Sequence, residues 1–148
     1  MAKFQGSGFA VDIPAGCTDA SIYTFALPVA DGFSPYIVIR FEVVTDSIDL
    51  SEYVKKQLES LASNTDEFKV LTQNAGKRGN WGCVVSDCQW GPPNGRMQQK
   101  YVHFLVPGKP SRVYTLSTTD LAKNHARSAP LFDQMLRSFL PNTTQIIQ

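Results

Sequence analysis

The sequence predicts an α+β domain: an antiparallel β-sheet of about six to seven strands with one embedded and one C-terminal α-helix. Three observations carry that reading. Alternating apolar runs recur at short spacing along the chain. Turns rich in glycine and proline fold neighbouring runs back on each other. Only two stretches show the apolar period of a helix.

Gly8 to Pro14 opens the series, with Phe9, Val11 and Ile13 on one face and a proline to end the strand. Ser21 to Leu27 is the second strand, stopped by Pro28, and Asp31-Gly32 marks the turn that follows. The third is the clearest. Tyr36 to Val43 places Ile37, Ile39, Phe41 and Val43 on one side, with Tyr36, Val38, Arg40 and Glu42 on the other. Leu50 to Leu61 then reads as an amphipathic helix, with Asp49 as N-cap and Glu52 three residues on, the pattern of a capping box. Three further strands are predicted at Phe68 to Gln73, Trp81 to Trp90 and Met97 to Val106. The turn Gly91-Pro92-Pro93-Asn94-Gly95 makes the last two a hairpin. Pro107-Gly108-Lys109-Pro110 turns the chain into a strand from Arg112 to Thr118. A terminal helix is signalled by Ser128 as cap and Pro130 in the first turn. Its stripe is Leu131, Phe132, Met135, Leu136 and Phe139, and Pro141 ends it. With two helices on about seven strands, part of the sheet is expected to stay uncovered.

The chain has 148 residues, one domain spanning 1–148 by the usual size prior, with room for a core that needs no metal or disulfide staple. A net charge of +1 and the lack of any basic run give no footprint for nucleic acid or an anionic membrane. No apolar stretch is long enough to span a bilayer, and the first residues hold no secretory apolar segment, so a cytoplasmic location is expected. Three cysteines argue against a disulfide framework and read as small buried hydrophobes. Cys83 and Cys88, five apart on one strand, point to opposite faces and cannot bridge. The Asn142-Thr143-Thr144 sequon carries no meaning without secretion.

Chemical signatures are weak. Gly6-Ser7-Gly8 lacks the third glycine of a dinucleotide fingerprint, and Gly76-Lys77-Arg78-Gly79 lacks the spacing of a phosphate loop; both read as flexible loop. His103 and His125 are far apart, and no Cys-x-x-Cys or His-x-x-x-His pattern exists, so neither metal nor cofactor is expected. His103, mid-strand beside Tyr101, reads as a hydrogen-bonded structural histidine. No local signature surrounds a nucleophile, and the expectation is a protein that is not an enzyme.

Gln57 is the informative residue. At about 100° per residue, Leu50, Val54, Gln57, Leu58 and Leu61 share one narrow arc of the helix, and an amide without a partner there costs about 1–3 kcal/mol. Either a neighbouring strand supplies that partner or a ligand does. Nearly uncharged strand faces, with Ile22, Thr24 and Ala26 on one and Tyr36 and Val38 on another, together with Gln99 between Met97 and Tyr101, suit a hydrophobic partner that has polar backbone to satisfy. From the patterns alone, two helices that simply cover these faces explain them slightly better.

An ordered set of short segments then resembles the DcrB-like family. It comprises Ser21 to Pro28, Val38-Ile39-Arg40, Tyr53 to Leu58, Phe68, Asp87-Cys88-Gln89-Trp90, Gly95-Arg96, Gln98-Gln99, Tyr114 to Thr118 and Ser138-Phe139. Within it the chain looks most like the Eag effector-associated chaperones of bacterial type VI secretion. The resemblance implies a PsbP-like fold, a cytoplasmic homodimer without catalytic activity or cofactor, and no membrane insertion of its own. It also implies a client, the N-terminal transmembrane segment of a secreted effector, often of the PAAR or Rhs type. It carries client binding onto Ile22, Thr24 and Val38 of the strands, onto Gln57, Leu58 and Leu61 of the helix, and onto Gln99 or Gln98, between which the strand register decides. A glutamine among leucines then imitates a neighbouring membrane helix, since such helices associate through small residues and interhelical hydrogen bonds. Two departures stand out: Cys17 occupies a place where the family usually has tryptophan, and Thr24 one where an aliphatic residue is common. Rival readings are a DcrB-like module for another protein partner and a small enzyme built around His103 or His125.

Overall fold

The computed structural model describes residues 1–141, so the Asn142-Thr143-Thr144 sequon lies outside the described residues. Strands β3 (Tyr23–Ala26), β4 (Tyr36–Val44), β5 (Lys69–Arg78), β6 (Trp81–Trp90), β7 (Met97–Val106) and β8 (Ser111–Leu121) form one antiparallel sheet in the order β3-β4-β8-β7-β6-β5. Strands β1 (Ala2–Gly6) and β2 (Phe9–Ile13) make a separate two-stranded ribbon. Helix α1 (Leu50–Asn64) follows β4 and helix α2 (His125–Ser138) follows β8. The α+β class, the antiparallel sheet, and one embedded and one C-terminal helix are as the sequence predicts.

Alternation along the strands gives the sheet two different faces. Ile39 stands opposite Leu116, which stands opposite Val102, and Phe41, Tyr114 and Phe104 make the next row. These side chains pack with Phe132 and Leu136 of α2, and Phe139 stacks on Phe104 with ring centroids 5.5 Å apart. The other face presents Val84, Cys88 and Tyr101, and α1 seats Val54 and Leu58 on them. Cys83 and Cys88 lie on opposite faces, as alternation requires. Burial pushes the Cys88 thiol up to about 12, the acid behaviour of an inert core residue. Cys17 departs from expectation: it is exposed, on the loop before β3, where no element covers it.

Helix α1 starts where the sequence places it. Asp49 is extended, and its Oδ1 accepts from the Glu52 backbone N–H at 3.3 Å, the first half of a capping box. Helix α2 starts four residues earlier than expected, with Asn124 at the cap position. Ser128 is no cap; it is buried, and its hydroxyl donates to Asp120 Oδ2 at 2.6 Å, a charge-assisted tie to the end of β8. Pro130 therefore sits in the second turn, where it removes one helical hydrogen bond. Three strands also differ. Strand β1 forms where the sequence predicts no strand, because Gly8 at φ 79° closes a hairpin that pairs Phe4 with Val11. Strand β5 runs on through Gly76, Lys77 and Arg78, paired with β6 to Trp81. Strand β8 continues to Leu121.

Arg78, at the end of β5, locks the second helix. Its Nη1 donates to the Leu136 carbonyl at 2.9 Å, its Nη2 to the carbonyls of Arg137 and Phe139, and its guanidinium lies 5.4 Å from the centre of the Phe104 ring. One cation thus satisfies carbonyls that the helix leaves open at its negative end. Arg78→Ala should lower unfolding free energy by about 2–3 kcal/mol in urea titration, the scale of charged hydrogen bonds. A change under about 0.5 kcal/mol would reduce the contact to a surface detail.

His103 is 1% exposed and lies under α1, stacked on Tyr101 and edge-on to Tyr53. Its Nδ1 has no partner among the described residues, so the hydrogen bond expected there is not made. Burial first, and the Arg40 charge second, hold its pKa down to about 4 against an ordinary 6.5. The folded protein keeps the ring neutral while the unfolded chain takes up a proton below about pH 6.5. Stability from this site is therefore complete above about 6.5 and falls as pH drops toward about 4. Denaturation at stepped pH should show that decline, and His103→Leu should flatten it.

Candidate functional site

One helix covers only part of the α1 face. Beyond its flank, toward β8, β4 and the edge strand β3, the sheet floor carries two clear rows. Thr24 stands opposite Val38, which stands opposite Ser117; Ala26, Tyr36, Thr119 and Gln99 form the next. Small hydroxyls, amides and short apolar groups make up this floor. Charge enters at one end only, where Arg40 and Glu42 follow Val38 on the same face.

The helix supplies the wall. Tyr53, Gln57 and Leu61 are spaced four apart on one flank of α1, the spacing that puts side chains in line. The Tyr53 hydroxyl donates to Glu42 Oε2 at 2.8 Å, and desolvation followed by this bond raises the phenol to about 12. Arg40 Nη2 reaches Gln57 Oε1 at 3.5 Å, the outer limit of a hydrogen bond. Among the described residues the Gln57 amide nitrogen donates to no protein group. The sheet thus gives this amide one long partner and leaves its donor side available. Leu61 continues the wall into a cleft of about 460 Å³ bounded also by Asn64, Trp90, Gln99 and Tyr101.

The two glutamines of β7 part company. Gln99 lies on the trough floor, where its Nε2 donates to Thr119 Oγ1 at 2.9 Å and its Oε1 accepts from the Tyr101 hydroxyl at 2.9 Å. Both ends are held, so the side chain is fixed in place. Gln98 must be corrected: it is on the opposite face, buried, with its Oε1 accepting from Gln89 Nε2 at 2.6 Å. Alternation along β7 allows only one of the two on the trough. Leu58 needs correction as well. At 6% exposure it is core, packed with Val54 against Val84, Cys88 and Tyr101, so it anchors the helix and offers no surface.

Ile22, Thr24, Val38, Gln57, Leu61 and Gln99 remain on or beside one surface. Ile22 is 63% exposed just ahead of β3, Thr24 is exposed and Val38 is half-buried. Arg40, Tyr53, Ser117 and Thr119 were not singled out from sequence. For Arg40 a signal exists, since it alternates with Val38; Ser117 and Thr119 join only through the β4–β8 register. The described residues hold no group of three or more histidines, cysteines and carboxylates that could take a metal. No helix among them is long and apolar enough to cross a membrane.

Comparison with solved structures supports the same architecture. PA94 of Pseudomonas aeruginosa, a protein of unknown function, superposes with a TM-score of 0.77 at 20% identity, covering 96% of this chain and 97% of that one. LpqN, involved in cell envelope biogenesis of Mycobacterium tuberculosis, gives a TM-score of 0.54 at 14% identity over 82% of each chain. Cyanobacterial PsbP from Synechocystis gives 0.53 at 9% identity, over 89% of this chain and 99% of that one. At such identities the likeness is one of fold, and the fold is PsbP-like. No curated protein matches the chain by sequence. The DcrB family model does match, over residues 10–138, and the chain belongs to the DcrB family.

Proposed function

We propose that this protein is a binding module whose trough holds apolar helices of a protein client, without catalysis and without a cofactor. The finer reading follows the resemblance to the Eag proteins: a cytoplasmic, homodimeric chaperone that shields the N-terminal transmembrane segment of a type VI effector before export. One observation carries the proposal. The β3–β4 side of a sheet face is left uncovered, with few charges and with the hydroxyls of Thr24 and Ser117, and it is bordered by a glutamine whose donor side is free among the described residues.

The chemistry suits a membrane helix. Such helices pack through small residues and interhelical hydrogen bonds, and a floor of Thr24, Ala26 and Ser117 offers short side chains that allow close approach. Gln57 can meet polar groups that the client would otherwise leave unsatisfied, beside a Gln99 held in place by Thr119 and Tyr101. The energetics also allow release without nucleotide hydrolysis. Removing about 400 Å² of apolar surface from water contributes about 10 kcal/mol. Association costs of about 4–15 kcal/mol offset most of that, so affinity stays moderate and a competing partner can take the client over.

Co-expression with an effector, full length and lacking its N-terminal apolar segment, tests the reading. A complex that needs the segment and contains two copies of this chain is expected. The double variant Gln57→Ala with Leu61→Asp should keep its fold yet bind at least about tenfold more weakly, a loss of about 1.4 kcal/mol. Equal recovery of the truncated effector would point to a DcrB-family module with another kind of protein partner. Undiminished binding by the double variant would remove the trough from consideration.

A further inference from the structure

A second concavity lies on the opposite face, beyond the C-terminal end of α2. It has a volume of about 460 Å³ and is bounded by the loop before β3, by β3, β4 and β8, and by the residues that follow α2. Its walls include Ile39, Phe41, Phe139 and Leu140, with Ser21 and Tyr23 among the polar groups at its border. That size accommodates a small organic molecule.

Arg112 is what distinguishes this cavity from an apolar dent. It lines the space yet is only 6% exposed. Its guanidinium lies 4.7 Å from the centre of the Phe41 ring, and its Nη1 is 3.5 Å from the Tyr114 hydroxyl, a bond at the outer limit. Its Nε is buried and has no acceptor among the described residues. Among the described residues no carboxylate lies within ion-pair distance of it, whereas Arg96 has Glu67 and Arg127 has Asp31. Buried cations are ordinarily paired, because water is lost to them and nothing else replaces it. Asp19, the acid among the lining residues, is engaged: its Oδ1 accepts from the Ser21 backbone N–H at 2.9 Å.

We propose that this cavity is a binding site for an amphipathic monocarboxylate. The carboxylate would sit end-on against Arg112, accepting from its Nη–H groups in the forked geometry that guanidinium favours. The acyl or aryl body would lie against Ile39, Phe41, Phe139 and Leu140. A monoanion fits better than a phosphate: of the two arginines at the cavity, Arg40 turns its side chain to Gln57 on the other face and leaves Arg112 as the cation here, and most of the wall is hydrocarbon. The site is separate from the trough and does not depend on the chaperone reading.

Titration of isotope-labelled full-length protein with octanoate and hydrocinnamate, followed by backbone amide NMR, tests this. The uncharged counterparts octanol and hydrocinnamyl alcohol serve as controls. Saturable shifts at Ser21, Tyr23, Arg112 and Tyr114 are expected with the acids, with affinity at least tenfold weaker for the alcohols. Arg112→Met should abolish that preference. If Arg112→Met does not fold, the acid-to-alcohol ratio and the location of the shifts in the wild-type protein decide the matter. Equal binding of acids and alcohols, no saturable shift with either acid, or shifts confined to Thr24, Val38 and Gln57 would each overturn the proposal.

Discussion

Everything on the trough side depends on how α1 is seated. Val54 and Leu58 press into Val84, Cys88 and Tyr101 and fix the helix over β6 and β7. A helix is about 10 Å across and strands are about 4.8 Å apart, so one helix covers two or three strands of a six-stranded sheet. The seat therefore determines what remains open. Placed over β6 and β7, α1 leaves β4 and β3 uncovered, with β8 buried on this face except around Ser117, and turns its Tyr53–Gln57–Leu61 flank toward them. A helix seated nearer the middle of the sheet would have buried Gln57 against strand and closed the trough.

The two faces solve the covering problem differently. On the α2 side, large side chains fill the space: Phe132, Leu136 and Phe139 meet Phe104 and Tyr114, and Arg78 ties the helix end down. That face is a dry core except near Arg112, where the helix has ended and a buried cation borders open volume. On the α1 side the uncovered strands carry small polar groups, a surface that water tolerates and that another helix can approach closely. Membership of the DcrB family and the PsbP-like fold set the frame. What differs within that frame is which strands a helix leaves bare and what side chains stand there.

Much of this was legible in the chain. Strands β6 and β7 fall where the alternation predicts, and Asp49 caps α1 as the spacing indicates, because buried elements carry their pattern in their own residues. Edge and ribbon strands do not. Strand β5 is exposed along most of its length and β1 buries none of its residues fully, so their limits come from a partner's hydrogen bonds and leave little trace in local hydrophobicity. The start of α2 was misplaced because Ser128 looks like a cap, while its hydroxyl is taken by Asp120, a tertiary contact invisible in sequence. The site was legible in the same uneven way. Gln57 announced itself by standing in an apolar arc. Gln98 and Gln99 are the same residue side by side, and only the pairing of β7 with its neighbours tells which faces the trough. Leu58 is one residue from Gln57, and that single step of about 100° separates core from surface.

Thr24 and Phe25 allow the most direct test, because they are adjacent, both exposed, and on opposite faces of the edge strand. A photo-crosslinking side chain placed at each position in turn, in the presence of a client carrying its apolar N-terminal segment, reads out which face is occupied. The account predicts capture of that segment from position 24 and none from position 25. Capture from position 25 alone, or equally from both, would contradict it, since a client lying in the trough reaches only one side of the strand.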